Sequence, residues 1–104
     1  MNVEVIQLEG PLNLAERALS DANSWLLPKL ATASLVIDCA RVTRVTPSYA
    51  NALVMTLLAA YPDAWTARRL TLRDALPYVW AEFEKAVDRY QRGIRLSTQR
   101  PQCA

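Results

Sequence analysis

The sequence predicts a single α/β domain with a mostly parallel or mixed four-stranded sheet and about three helices packed on it. Two observations lead to this prediction. Runs rich in β-branched residues alternate with helical stripes of apolar residues along the chain, and Gly or Pro marks the boundaries between them. The chain has 104 residues, of which 52% are hydrophobic and 21% are charged, as in one globular domain. Strand–helix–strand connections are right-handed crossovers, so we expect most strand pairs to be parallel.

The first third of the chain predicts a strand followed by a helix. Residues 3–8 are a short β-branched run that ends before a Gly-Pro pair. Asn13 and Glu16 have the spacing of a capping box, so we expect the helix to begin there. Pro28 lacks a backbone donor, and the helix should kink or stop just before it. The apolar stripe of this helix is Ala15, Ala18, Leu19, Ala22, Leu26 and Leu30.

The middle third predicts a buried strand, a connection and a second helix. Residues 34–39 contain Leu-Val-Ile in succession, which is typical of a strand covered on both faces, although a chain this short can cover one face only partly. Residues 40–46 mix polar and apolar side chains and are predicted to be a connection. Thr46 followed by Pro47 is typical of a helix start, with the threonine as N-cap. We expect this helix to run to about Tyr61.

The last third predicts a third strand, a third helix and an edge strand. Residues 68–73 alternate with period 2, and Asp74 is positioned to cap the next helix. Gly93 is expected to stop that helix in a left-handed conformation. Residues 94–97 then add a fourth strand, which completes a domain over residues 1–97, and residues 98–104 are predicted to be a flexible tail. The helical stripe is Leu76, Val79, Trp80, Phe83, Ala86, Val87 and Tyr90.

The composition excludes most catalytic chemistry. The sequence has no histidine, which removes the commonest general base and metal ligand. Its two glycines lie far apart, so no phosphate-cradling loop is present. Cys39 and Cys103 lack metal-site spacing and fit a reducing compartment. We therefore expect a binding module without catalytic residues, metal or cofactor.

The chain shows no signal for export or for a membrane. Its first residues carry no basic segment followed by an apolar stretch. The longest nearly apolar segment, residues 49–61, is shorter than the roughly 20 residues that a bilayer requires. We expect a cytoplasmic protein without a membrane partner.

Two polar residues stand where α/β folds place functional groups. Asp38 lies at the predicted carboxyl end of the second strand. Ser48 lies in the first turn of the second helix, where free N–H groups and the helix dipole would stabilise a phosphate on its hydroxyl. Serines are also ordinary capping residues at helix starts, so the spacing leaves a purely structural role open.

The helix that contains Ser48 is apolar on nearly every side. Between residues 49 and 61 the helix carries only two polar residues, Asn51 and Thr56, apart from its tyrosines. Such a helix is either central in the core or presents its second face to another chain. A self-associating structural protein that uses residues 48–61 as its interface is therefore an alternative function.

A third function class follows from the basic end of the chain. Arginines concentrate there and could contact nucleic acid phosphates, although they more often stabilise the last turn of a helix and keep a tail solvated. We therefore regard nucleic acid as the less favoured partner. These arginines are Arg89, Arg92, Arg95 and Arg100.

One stretch of the sequence resembles a known family. The pattern Leu-Val-Ile-Asp-x-x-x-Val-x-x-Val-x-x-Ser, over residues 35–48, is similar to the STAS domain of anti-sigma factor antagonists and sulphate transporters. The turn that opens the helix and residues 72–79 look closer to an uncharacterised bacterial STAS-like branch, whose members often occur beside histidine-kinase-like ATPases. The resemblance covers most of residues 1–96 and implies a STAS-like fold.

The resemblance also implies a function. In that family, a GHKL-type kinase phosphorylates the serine that aligns with Ser48, and Asp38 aligns with the acid that ends the strand. We therefore expect a regulatory module that switches between protein partners, with a GHKL-type ATPase or kinase as the partner and a homodimer as a further possibility. The expected interface is Thr46, Pro47, Ser48, Tyr49, Asn51, Ala52 and Met55.

Overall fold

A three-stranded parallel sheet with strand order β1-β2-β3 forms the centre of the fold. The computed structural model describes residues 2–99, with side chains described for residues 2–93. The strands are β1 (Val3–Leu12), β2 (Ser34–Val45) and β3 (Leu70–Arg73). The helices are α1 (Ala15–Asp21), a π-helical segment (Ala22–Leu26), α2 (Leu27–Leu30), α3 (Pro47–Ala60) and α4 (Pro77–Gln99). The predicted α/β class and the parallel pairing are confirmed.

The helices pack on one face of the sheet. Both α1 and α4 contact α3, and α2 and α4 contact β2. Leu35 and Ile37 of the central strand are fully buried beneath these helices, whereas Val36, which points to the opposite face, is only partly buried. On that opposite face Val3 and Val5 are exposed. The part of the chain that the structure describes therefore covers one face and leaves the other open.

The first two strands are longer than the sequence predicts. β1 does not end at residue 8: it remains paired with β2 as far as Leu12, with register shifts between Gln7 and Glu9 and between Gly10 and Pro11. Gly10 has φ +71°, a conformation that favours glycine, and proline is tolerated because β1 is an edge strand. Residues 40–45, predicted to be a connection, belong to β2 and pair with this extension of β1.

The first helical run begins and bends differently from the prediction. Its N-cap is Leu14, and no side chain caps it. The capping box predicted at Asn13 and Glu16 is therefore wrong, because the helix begins one residue too late for Asn13 to reach its free N–H groups. The predicted interruption before Pro28 takes the form of the π-helical segment, which ends two residues before that proline.

The third predicted helix extends far beyond its predicted end. Gly93 lies inside α4 and does not adopt a positive φ, so the predicted left-handed stop is wrong. Residues 94–97 are helical, and no fourth strand is present within residues 2–99. A helix tolerates an internal glycine at a cost of about 1 kcal/mol. The predicted tail begins inside α4, and residues 100–104 lie outside the described residues.

The start of α4 also differs from the prediction. Asp74 adopts φ 56° in the turn after β3, three residues before α4 begins at Pro77, and therefore does not cap the helix. The predicted stripe of α4 is confirmed in its centre, where Val79, Phe83 and Val87 are buried.

None of the helices described between residues 2 and 99 is both long and apolar enough to cross a bilayer.

Candidate functional site

The start of α3 is fixed to the end of the sheet. Thr46 is the N-cap, as predicted, and its Oγ1 accepts a hydrogen bond of 3.3 Å from the Tyr49 N–H. The Thr46 N–H donates to the Leu12 carbonyl at 2.9 Å. Pro47 occupies the first turn, where a missing N–H costs nothing because that donor has no helical partner. The turn is thus held by β1 on one side and by its own helix on the other.

Ser48 is exposed in the first turn of α3, immediately beyond the end of the long central strand. Free backbone N–H groups and the positive end of the helix dipole lie at this position. The hydroxyl is therefore open to solvent, as the sequence-based hypothesis for this residue requires.

Tyr49 does not belong to the exposed surface. Its side chain is fully buried, and its hydroxyl donates a 2.7 Å hydrogen bond to Oδ2 of Asp21 in α1. Burial raises the pKa of the Tyr49 hydroxyl, and the hydrogen bond to Asp21 raises it further. The prediction of Tyr49 as an interface residue is therefore wrong. Position 49 faces α1, which packs against α3, whereas its neighbour Ser48 is exposed.

The remaining predicted interface residues lie along one face of α3. Met55 is 57% exposed, and Asn51 and Ala52 are partly buried beside it. Arg89 of α4 donates a 2.9 Å hydrogen bond to Oδ1 of Asn51 at the margin of this face. We call Ser48, Asn51, Ala52 and Met55 the α3 stripe.

The rest of α3 faces the protein interior. Its buried residues are Tyr49, Ala50, Leu53, Val54, Leu57 and Leu58. The sequence left open whether this apolar helix is central in the core or shared with another chain. Its large apolar side chains, Met55 excepted, pack against the same chain, and the α3 stripe and the exposed Ala59 and Ala60 at the end of the helix remain open.

Asp38 does not end its strand and does not join Ser48. It lies inside β2, opposite Arg73 at the end of β3, so the three-stranded part of the sheet ends here while β2 continues to Val45. Seven further strand residues carry the chain on the order of 20 Å before α3 begins. The predicted strand-end position of Asp38 is wrong because β1 supplies a partner for the continuation of β2.

Asp38 instead forms an ion pair with Arg73. Its Oδ2 lies 2.8 Å from the Arg73 guanidinium, and its Oδ1 accepts a 2.9 Å hydrogen bond from the Ala40 N–H. The hydrogen bond from Arg73 holds the pKa of Asp38 below its usual value, and the Ala40 N–H acts in the same direction. The adjacent Cys39 is buried, and burial raises the pKa of its thiol to about 11, with the Asp38 charge as a smaller cause. Neither residue is set up as an acid, a base or a nucleophile near neutral pH.

Potential metal ligands and the C-terminal arginines can be followed only within the described side chains. Within residues 2–93, no group of three or more His, Cys, Asp or Glu side chains could hold a metal ion. Two of the C-terminal arginines are engaged, Arg89 with Asn51 and Arg92 with Asp88. The side chains of Arg95 and Arg100 lie outside the described residues.

Two features of the structure have no clear signal in the sequence. Trp80, which belongs to the predicted apolar stripe, is 36% exposed and lies against Trp65, with ring centroids 5.7 Å apart. The pairing of Asp38 with Arg73 depends on the β2–β3 register, which local patterns do not specify.

Comparison of the chain with models of known families, with curated proteins and with solved structures finds no match.

Proposed function

We propose that this chain is a STAS-like regulatory module that acts by binding a protein partner through the α3 stripe. One observation carries the proposal: Ser48 and Met55 are exposed on one face of a helix whose other large apolar side chains are buried. A methionine exposed to 57% on an otherwise buried helix is a side chain suited to contact with another protein.

The geometry of the stripe supports a rigid binding surface. Positions 48, 52 and 55 lie within two helical turns on the same side of α3. The helix is held at its start by the Thr46 cap and along its length by α1 and α4. A preformed surface loses little conformational entropy on binding.

The stripe is also suited to control by charge. It has no ionised side chain of its own, and its nearest cation is Arg89, which bonds Asn51. A phosphate on Ser48 would add about two negative charges to a contact of neutral side chains. The added charge would have to be desolvated on binding, so phosphorylation would release the partner. The resemblance to STAS domains makes a GHKL-type ATPase or kinase the partner to test.

The test is isothermal titration calorimetry of the chain against a purified GHKL-type ATPase. We expect Ser48→Asp to weaken binding about tenfold or more, and Met55→Glu to do the same. The matched control is Ser20→Asp, which places the same charge on an exposed serine of α1. Equal affinities for Ser48→Asp and wild type would contradict control of binding by a charge on Ser48. Unchanged binding by Met55→Glu would contradict the α3 stripe as the binding surface.

Self-association through α3 is the less favoured alternative. The apolar residues that would form the interface between two copies are already buried within one chain. The exposed remainder of α3 is a narrow stripe, whereas a stable homodimer commonly buries about 800 Å² on each partner.

A further inference from the structure

A second surface lies at the opposite edge of the sheet from β1. Trp65 and Thr66 in the turn after α3, and Trp80 in the first turn of α4, line a pocket of about 320 Å³ against β3. Its other lining residues are Arg68, Leu70 and Thr71. We call these six residues the tryptophan pocket. None of them belongs to the α3 stripe.

The tryptophan pocket lies on the free edge of β3. The sheet order β1-β2-β3 leaves β3 with a neighbour on one side only within residues 2–99. Consecutive strand residues point to opposite faces, so a pocket that touches both Leu70 and Thr71 lies at the edge of the strand. The Leu70 N–H on this edge already donates to the Ala64 carbonyl at 3.0 Å, so the Leu70 carbonyl and the Leu72 backbone groups are those that an added strand would pair with.

The pocket combines an apolar recess with a single charge. The two indole rings are tilted by 41° and form the apolar wall, and Trp80 stays 36% exposed even in this contact. Arg68 is the one charged residue among the lining side chains. It is exposed and adopts φ 59°, a backbone conformation that is costly for any residue other than glycine. The pocket therefore complements a large apolar group next to a negative charge.

We infer that the tryptophan pocket binds an extended, acidic segment of a partner protein. The segment would pair its backbone with the edge of β3 in the manner of strand addition. One large apolar side chain would lie against the indoles of Trp65 and Trp80, and a neighbouring carboxylate would pair with Arg68. This second contact does not depend on Ser48 or on the proposed function of α3.

The direct test uses the tryptophans as reporters. Trp25→Phe leaves Trp65 and Trp80 as the fluorophores, because the chain has three tryptophans. The probe peptide is acetyl-Ser-Glu-Leu-Val-Glu-Ser-amide, and its matched partner has lysine in place of both glutamates. We expect a saturable change in emission with the glutamate peptide and binding about tenfold weaker with the lysine peptide.

Two variants and two modified peptides test the separate parts of the inference. Arg68→Gln should weaken binding of the glutamate peptide about tenfold, whereas Arg44→Gln, which removes an exposed arginine from β2 beyond the end of β3, should leave it unchanged. Trp80→Ala should abolish binding while circular dichroism shows the fold retained. Methylation of the leucine nitrogen and methylation of the valine nitrogen, made in separate peptides, should weaken binding in one of the two, because alternate backbone N–H groups of an added strand point toward β3.

Several outcomes would overturn the inference. Absence of saturable binding, or equal affinity for the glutamate and lysine peptides, would contradict it. Undiminished binding of both methylated peptides would exclude strand addition. If indole-3-acetate bound as tightly as the peptide, the pocket would be a site for small aromatic anions instead.

Discussion

At the scale of single residues, the buried Tyr49 anchors the first turn of α3, which carries Ser48, to the rest of the protein. Its hydroxyl donates to Asp21, which lies 3.6 Å from the Arg17 guanidinium. Arg17 in turn donates to the carbonyls of Glu9 and Pro11 at 3.2 Å and 3.1 Å. This chain of polar contacts connects the first turn of α3 to α1 and to the irregular part of β1. It fixes the orientation of the turn that exposes Ser48.

The pairing of Asp38 with Arg73 makes stability depend on pH. The pKa of Asp38 is lowered in the folded protein, chiefly by the Arg73 hydrogen bond. A carboxylate with a lowered folded-state pKa stabilises the fold above its unfolded pKa of about 4. That contribution is lost as pH falls through the folded-state value.

We therefore expect Asp38→Asn to lower the free energy of unfolding at pH 7 and to have a smaller effect at pH 3. Urea unfolding at both pH values measures this difference. Asp63→Asn, an exposed aspartate in the turn after α3, is the matched control for loss of a carboxylate. A gap between wild type and Asp38→Asn that stays constant from pH 7 to pH 3 would contradict the role assigned to the ion pair.

At the scale of elements, α3 is the helix whose start matches its sequence signals most closely. Thr46 caps it, Pro47 follows, and it ends at Ala60, one residue before the predicted limit. The first helical run shows the contrary case, because no side chain caps α1 and its course changes in the π-helical segment before Pro28. A local capping signal thus sets the start of a helix only where the tertiary contacts place the helix start at the same residue.

We expect Thr46→Ala to destabilise the protein by about 1 kcal/mol, since the Tyr49 N–H loses its side-chain acceptor. Chemical denaturation measures the loss. Thr56→Ala is the matched control, because the Thr56 hydroxyl only donates back to the Ala52 carbonyl within the same helix. That variant should change stability by less than about 0.5 kcal/mol. Equal losses in the two variants would show that the cap has no special role.

At the scale of the whole molecule, the helices cover one face of the sheet and leave the other open. Strand order β1-β2-β3 moves in one direction across the sheet, and right-handed crossovers then place the connecting helices on the same side. The exposed Val3 and Val5 are a consequence of this arrangement.

Neighbouring residues of the central strand should respond differently to truncation. We expect Ile37→Ala to cost about 2–5 kcal/mol, because it leaves a cavity under the helices. Val36→Ala on the open face should cost about 1 kcal/mol or less. Thermal and urea unfolding of the two variants give the comparison. Similar losses would mean that the open face is covered, for example by a second copy of the chain.

Local patterns in the sequence determined the α/β class, the three strands and the main helices, and they predicted the start of α3 and the exposure of Ser48. These features depend on neighbours within a few positions, through hydrophobic period, capping and proline geometry. Tertiary structure alone decided that Tyr49 lies inside, that Trp80 lies at the surface and that Asp38 pairs with Arg73 within β2. Those outcomes depend on contacts between segments that are distant in the sequence, because such contacts set side-chain burial and strand length, and local patterns do not specify them.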